Sequence, residues 1–156
     1  MVVGGEDGNR FRDDVEVIDL SAQRKLHLNL QNYPYIMAAA TGAIVSGIPI
    51  ICGGFSTSAS TRYPECYKYD NSTRSWTFLT NMTIGRNFCA SVQLNDSLFV
   101  MGGSCDGGLD DCRLSTTEYI SLDRNGSQSK EIFSPLFLWA FVDFSKLYWA
   151  ALLCLL

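Results

Sequence analysis

The chain has 156 residues, 47% of them apolar, which is material for one sizeable core and excludes a disordered tail. With 12 basic against 16 acidic residues the net charge is −4, so the diffuse positive field of a general nucleic-acid binder is missing. Six cysteines are too few for a small disulfide-packed scaffold, and none of them has the paired short spacings of a zinc site.

In chain order, a short apolar run, Val2-Val3, leads into the doublet Gly4-Gly5, and a strand-like segment, Val15-Glu16-Val17-Ile18-Asp19, follows a polar stretch. The next unit is more complete. Gly42-Ala43-Ile44-Val45 is joined through Ser46-Gly47 to Ile48-Pro49-Ile50-Ile51-Cys52, and these linking residues favour a tight hairpin. The doublet Gly53-Gly54 follows, then a polar loop, then Cys66-Tyr67-Lys68-Tyr69-Asp70 and a further strand carrying Trp76. A third unit repeats the order: Ala90 to Leu94, the turn Asn95-Asp96, the run Leu98 to Met101, the doublet Gly102-Gly103, a loop, and Tyr119-Ile120-Ser121-Leu122-Asp123.

The three doublets stand 49 residues apart each time. Four short antiparallel strands in a unit of about 50 residues is the signature of a propeller blade. One twisted sheet of this size cannot bury both faces, so such units stack face to face. A residue without Cβ accepts a positive φ and lets a bulky side chain pack on bare backbone, and Trp76 is the expected occupant.

These residues resemble the Kelch repeat family: Gly4, Gly5, Gly53, Gly54, Gly102 and Gly103 as the doublets, Tyr69-Asp70 followed six residues later by Trp76, and the stretch from Met82 to Arg86 that leads into the next unit. In the first unit His27 lies 49 residues before Trp76, and in the third no Trp follows Asp123 at the expected distance. The resemblance implies an all-β fold, a partial Kelch-type β-propeller of about two and a half four-stranded antiparallel blades. The expected divisions are 1–33 as a partial blade, 34–83 as a complete blade, 84–130 as a blade with a loop insertion, and 131–156 as a nonrepeat hydrophobic tail. Too few blades are present to close a ring, so the chain is expected to be a fragment of a larger propeller. From Pro135 to Leu156 only Pro135, Asp143, Ser145 and Lys146 interrupt an apolar run of 22 residues. That tail has three readings: a membrane anchor, a helix packed over an exposed blade edge, or an ending with no role.

Catalysis needs a converging acid, base or nucleophile. The single histidine, His27, has no partner at ligand spacing, the serines form no nucleophile elbow, and the doublets lack the Lys of a phosphate loop. No catalytic residue, metal or cofactor is expected. The copper oxidases among Kelch-like propellers combine tyrosines with histidines, so a galactose-oxidase-like fragment is the alternative of another class, and the lone histidine argues against it.

Asn71, Asn81, Asn95 and Asn125 each head an N-glycosylation triplet at a predicted turn, where turn chemistry alone is the competing explanation. Cys52 closes a strand and Cys66 opens the next, so antiparallel pairing across the loop brings them into disulfide reach. Cys105 and Cys112 flank an insertion, counted as four residues from Asp70 and Asp123, that a disulfide would pin. The aspartates there, Asp106, Asp110 and Asp111, make a weak calcium site a remote alternative. Sequons and cysteines together favour an extracellular setting over a cytoplasmic one, although Met1 opens without a signal peptide.

Rigid loop clusters at blade ends are binding surfaces. Phe55, Arg62 and Tyr63 in the loop from Gly54 to Pro64 are the candidate partner-binding residues, being the aromatic and Arg types that anchor protein interfaces. The function expected is a non-catalytic protein-interaction module with an adhesion or scaffold role and a protein partner. The alternative within the family is the substrate-receptor propeller of a ubiquitin ligase adaptor.

Overall fold

A computed structural model of the chain describes residues 1–8, 10–26, 28–56, 59–106, 112–122 and 128–133. The strands in order are β1 (Val2–Glu6), β2 (Phe11–Asp19), β3 (Arg24–Leu26), β4 (Thr41–Val45), β5 (Ile48–Cys52), β6 (Phe55–Ser56), β7 (Thr61–Arg62), β8 (Glu65–Asp70), β9 (Ser75–Asn81), β10 (Ala90–Leu94), β11 (Ser97–Met101), β12 (Ser104–Cys105), β13 (Cys112–Arg113), β14 (Thr117–Leu122) and β15 (Gln128–Phe133). They form three antiparallel blades, β1-β2-β3, β4-β5-β8-β9 and β10-β11-β14-β15, plus two-stranded ribbons, β6-β7 and β12-β13, within what the sequence suggests are plain loops. His27, Asn125, the insertion 107–111 and the tail from 134 onward lie outside the described residues.

Ser46 and Gly47 take φ of 49° and 81°, the paired positive values of a two-residue turn whose twist matches the strands it joins. The longer turn between β8 and β9 is closed by a carboxylate. Asp70 Oδ1 accepts from the N–H and hydroxyl of Ser72 at 2.8 and 2.6 Å, and Asp19 Oδ1 accepts from the same groups of Ser21 at 3.0 and 2.6 Å. These bonds hold both carboxyls below the usual aspartate range, the Ser hydroxyl contributing most.

Two cores lie between the blades, as face-to-face stacking demands. Val45, Ile50, Cys52, Cys66, Leu79 and Met82 of the second unit pack on Leu98, Val100, Ile120 and Leu122 of the third. Tyr33, Met37, Tyr69 and Trp76 form the other cluster, with Val3 and Val15 of the first blade packed against it. The inner strands are tied directly: Thr41 Oγ1 donates to Ser91 Oγ at 2.7 Å, and Ser91 donates to the Gly42 carbonyl at 2.8 Å.

Two expectations need correction. Trp76 is not among the nearest neighbours of a Cβ built on Gly53 or Gly54. Its ring meets Tyr33 and Tyr69 edge-on, with centroids 5.1 and 5.2 Å apart. What approaches Gly53, at φ 70°, is backbone: a Cβ there would stand 2.3 Å from the Arg86 carbonyl oxygen, so glycine is required by the linker to the next blade. Second, the loop insertion in the third unit is two residues, not four. Cys52 pairs with Cys66 and Met101 with Thr117, separations of 14 and 16, so Ser121 rather than Asp123 aligns with Asp70. The third blade also has its outer strand. Strand β15 pairs with β14 from Gln128 to Phe133, because backbone pairing needs no Trp to form the outer strand.

Candidate functional site

Strand β5 ends and β8 begins at one end of the sheet, and β9 ends and β10 begins there too. The ribbons β6-β7 and β12-β13 therefore share one rim with the interblade linkers 33–40 and 82–89, while the tight turns face the opposite rim. Isolated bridges tie each linker to a ribbon, Ala38 to Phe55 and Asn87 to Ser104. This is the loop cluster that the candidate residues Phe55, Arg62 and Tyr63 occupy.

Arg62 is the centre of a clasp between the second and third blades. Its guanidinium lies over the Phe55 ring, 5.4 Å from the centroid. Its Nε donates to Asn87 Oδ1 at 3.0 Å and one terminal nitrogen donates to Asp106 Oδ1 at 2.6 Å. The Arg62 N–H completes the grip on Asp106 Oδ2 at 3.1 Å. The Arg62 hydrogen bonds and charge hold the Asp106 carboxyl below the usual aspartate range. Below the clasp, a Cβ on Gly85 would stand 2.0 Å from the Arg62 carbonyl oxygen, which fixes how closely linker and ribbon approach.

Tyr63 stacks on Tyr35 with ring centroids 4.2 Å apart and planes at 9°. Phe55 meets Phe11 of the first blade edge-on at 6.0 Å. The three candidate residues are thus half-buried and committed to internal contacts. The open apolar side chains of this rim are others: Phe88 is 79% exposed, Ile36 52% and Ile84 40%. Phe88 also holds a left-handed φ of 52°, as does Ala39 at 56° in the preceding linker, and the Phe88 N–H donates to the Ala39 carbonyl at 3.0 Å. No sequence signal distinguishes Phe88, because nothing in its own type says which side of a linker faces outward.

Arg86, expected as a repeat landmark, is buried completely and pairs with Glu118 at 2.5 Å, their side chains 0% and 1% exposed. It also donates to the Gly102 carbonyl at 3.1 Å and the Thr116 carbonyl at 3.2 Å, while Glu118 Oε2 accepts from the Thr83 N–H at 2.7 Å. Cys52 and Cys66 are directly opposed at disulfide distance with Cα atoms 4.1 Å apart, and Cys105 and Cys112 likewise with Cα atoms 5.1 Å apart. Among the described residues Cys89 is unpaired, and burial pushes its thiol up to about 11. Asn71, Asn81 and Asn95 are exposed. Asp106 is engaged by Arg62, and no group of three metal-ligating side chains occurs among the described residues.

Stacked four-stranded antiparallel sheets, each with its ribbon and linkers gathered on one rim, define blades of a β-propeller. The solved structure of YjhT shares this fold, with a TM-score of 0.67 over 83% of this chain and 41% of that one, at 18% identity. No family model matches the chain. Kelch repeat protein C2 of Vaccinia virus, in the Western Reserve and Copenhagen strains, is 30% identical over 102 residues, covering 65% of this chain. The chain spans only 19% of the length of those relatives. Together these likenesses support a Kelch-repeat family for the repeats of this chain.

Proposed function

We propose that the chain is a non-catalytic protein-binding module whose ribbon rim recognises a protein partner in an adhesion or scaffold role. The observation that carries this reading is the exposure of Phe88, Ile84 and Ile36 on the rim, next to ribbons locked by the Arg62–Asp106–Asn87 clasp. Rigid support beneath exposed aromatic and branched side chains lowers the ordering cost of association. The extracellular setting is supported by the two cysteine pairs at disulfide distance and the three exposed sequon asparagines.

The test is a comparison of proteins crosslinked to the wild-type chain and to a Phe88→Ser/Ile84→Ser variant, with Ile44→Ser, away from that rim, as control. Partners retained by wild type and control but lost by the rim variant are the expected result. Identical sets from all three would overturn the reading. A gel-mobility shift on glycosidase treatment of chain secreted from eukaryotic cells checks the extracellular setting.

A further inference from the structure

The two seams between blades repeat one register and differ at one spot. The N–H groups of Gly5 and Gly54 donate to the carbonyls of Met37 and Arg86, both at 2.9 Å, so Met37 holds in the first seam the position Arg86 holds in the second. By the pairing of Cys52 with Cys66 and of Met101 with Thr117, Glu65 and Tyr67 stand where the third blade has Thr116 and Glu118. In the second seam the Arg86 guanidinium fills this spot, bonding the Thr116 carbonyl and hydroxyl and the Glu118 carboxylate. In the first seam Met37 carries no side-chain donor, and by this register the residue at the Thr116 position is a glutamate, Glu65.

That carboxylate is poorly served. Among the described residues Glu65 Oε1 accepts a single long 3.4 Å bond, from Tyr35, and its Oε2 is buried with no hydrogen-bond partner. The Tyr33 hydroxyl is also buried without a partner, in a residue 2% exposed. The Tyr35 and Tyr67 hydroxyls stand 3.3 Å apart, and the Tyr33 ring lies edge-on to both, at 6.3 and 5.6 Å. A carboxylate oxygen and a tyrosine hydroxyl without partners, beside a pair of hydroxyls and ringed by aromatic faces, match the chemistry of a planar cation with several N–H groups.

We propose that Glu65, Tyr33, Tyr35 and Tyr67 form a site for a guanidinium group supplied from outside the chain. Glu65 takes the paired N–H groups, the tyrosine hydroxyls accept others, and the rings flank the cation. Entry is past Tyr35, which is half-buried in a linker between exposed Pro34 and Ile36 and swings aside on binding. The net charge of −4 draws a cation toward the chain. The guanidinium is either that of a free small molecule or an arginine side chain of a polypeptide, and the site does not depend on the partner-binding reading of the rim.

Calorimetric titration of the chain with ethylguanidinium and with acetyl-Gly-Arg-Gly-amide tests this, the citrulline analogue of the peptide serving as the uncharged control. Saturable binding of a guanidinium probe that falls at least about tenfold in Glu65→Gln is expected. Met37→Arg, which returns the internal guanidinium, should abolish binding while the circular dichroism stays that of the wild type. Binding of both probes assigns the site to a small cation, and binding of the peptide alone assigns it to a polypeptide arginine. Equal binding of the citrulline peptide, undiminished binding by folded Glu65→Gln, or no heat from either probe at millimolar concentration would overturn the proposal.

Discussion

Arg86→Met is the substitution that most directly measures what locks the second and third blades. It installs at this seam the residue that the other seam already carries as Met37, so the backbone accommodates the side chain. The cost comes from what is left behind. Arg86 supplies four hydrogen bonds, to Gly102 O, Thr116 O, Thr116 Oγ1 and Glu118 Oε1. Without it the Glu118 carboxylate, 1% exposed, keeps only the Thr83 N–H among those contacts. Breaking a fully buried pair by removing one partner costs about 3–5 kcal/mol, a large fraction of the stability of a chain this size. Removing the charge as well should return much of that. The double variant Arg86→Met/Glu118→Leu is expected to be at least about 2 kcal/mol more stable than the sum of the single changes allows. Urea unfolding followed by circular dichroism at 25 °C, extrapolated to water, gives each value. If the single variant lost under about 1 kcal/mol, or the changes added within about 0.5 kcal/mol, the pair would not be the lock described.

Gly85→Ala should destabilise by about 2 kcal/mol or more, because the new Cβ meets the Arg62 carbonyl at a separation no packing tolerates, and thermal melting will read the loss. Reducing the Cys52–Cys66 pair removes a crosslink spanning 14 residues, which lowers unfolding stability by about 3 kcal/mol, measured by urea midpoints with and without phosphine. The Asp106 carboxyl is held low, so the clasp contributes above the ordinary aspartate pKa and is lost as pH falls through the lower folded value. Carbon-13 titration should place its midpoint below that of a free aspartate, and Arg62→Met should restore the ordinary midpoint. Alkylation of Cys89 in the folded chain should be slow at neutral pH and rise toward pH about 11; rapid labelling at pH 7 would show that burial does not control it.

The blade order is legible in the sequence because the doublets mark places where one backbone passes close to another, and that requirement recurs every 49 residues whatever the surrounding side chains do. Hairpin turns such as Ser46-Gly47 are equally local, and so are the cysteine pairs, since facing positions on adjacent strands follow from the pairing itself. Relations across a seam are not legible. Arg62 meets Asp106 across 44 residues and Arg86 meets Glu118 across 32, and neither spacing carries a periodic signal. The same limit explains Trp76. Its spacing from Asp70 marks the repeat, but which surface receives its ring depends on how the linker holding Tyr33 crosses the seam. A count from Asp70 to Asp123 places too many residues in one loop because turns between outer strands also vary in length, which only strand register separates.

The unlike chemistry of the two seams has a consequence for which blade lies beside which. Were the third blade to slide into contact with the first unit's linker, Glu118 would face Pro34 and Met37 in place of Thr83 and Arg86. Proline offers no amide hydrogen and methionine no cation, so the carboxylate would lose both of these donors in a dry interior at a cost of several kcal/mol. Nearly identical backbones could otherwise exchange neighbours freely. One charged pair thus acts as a key that admits a single stacking sequence and rejects the permuted one.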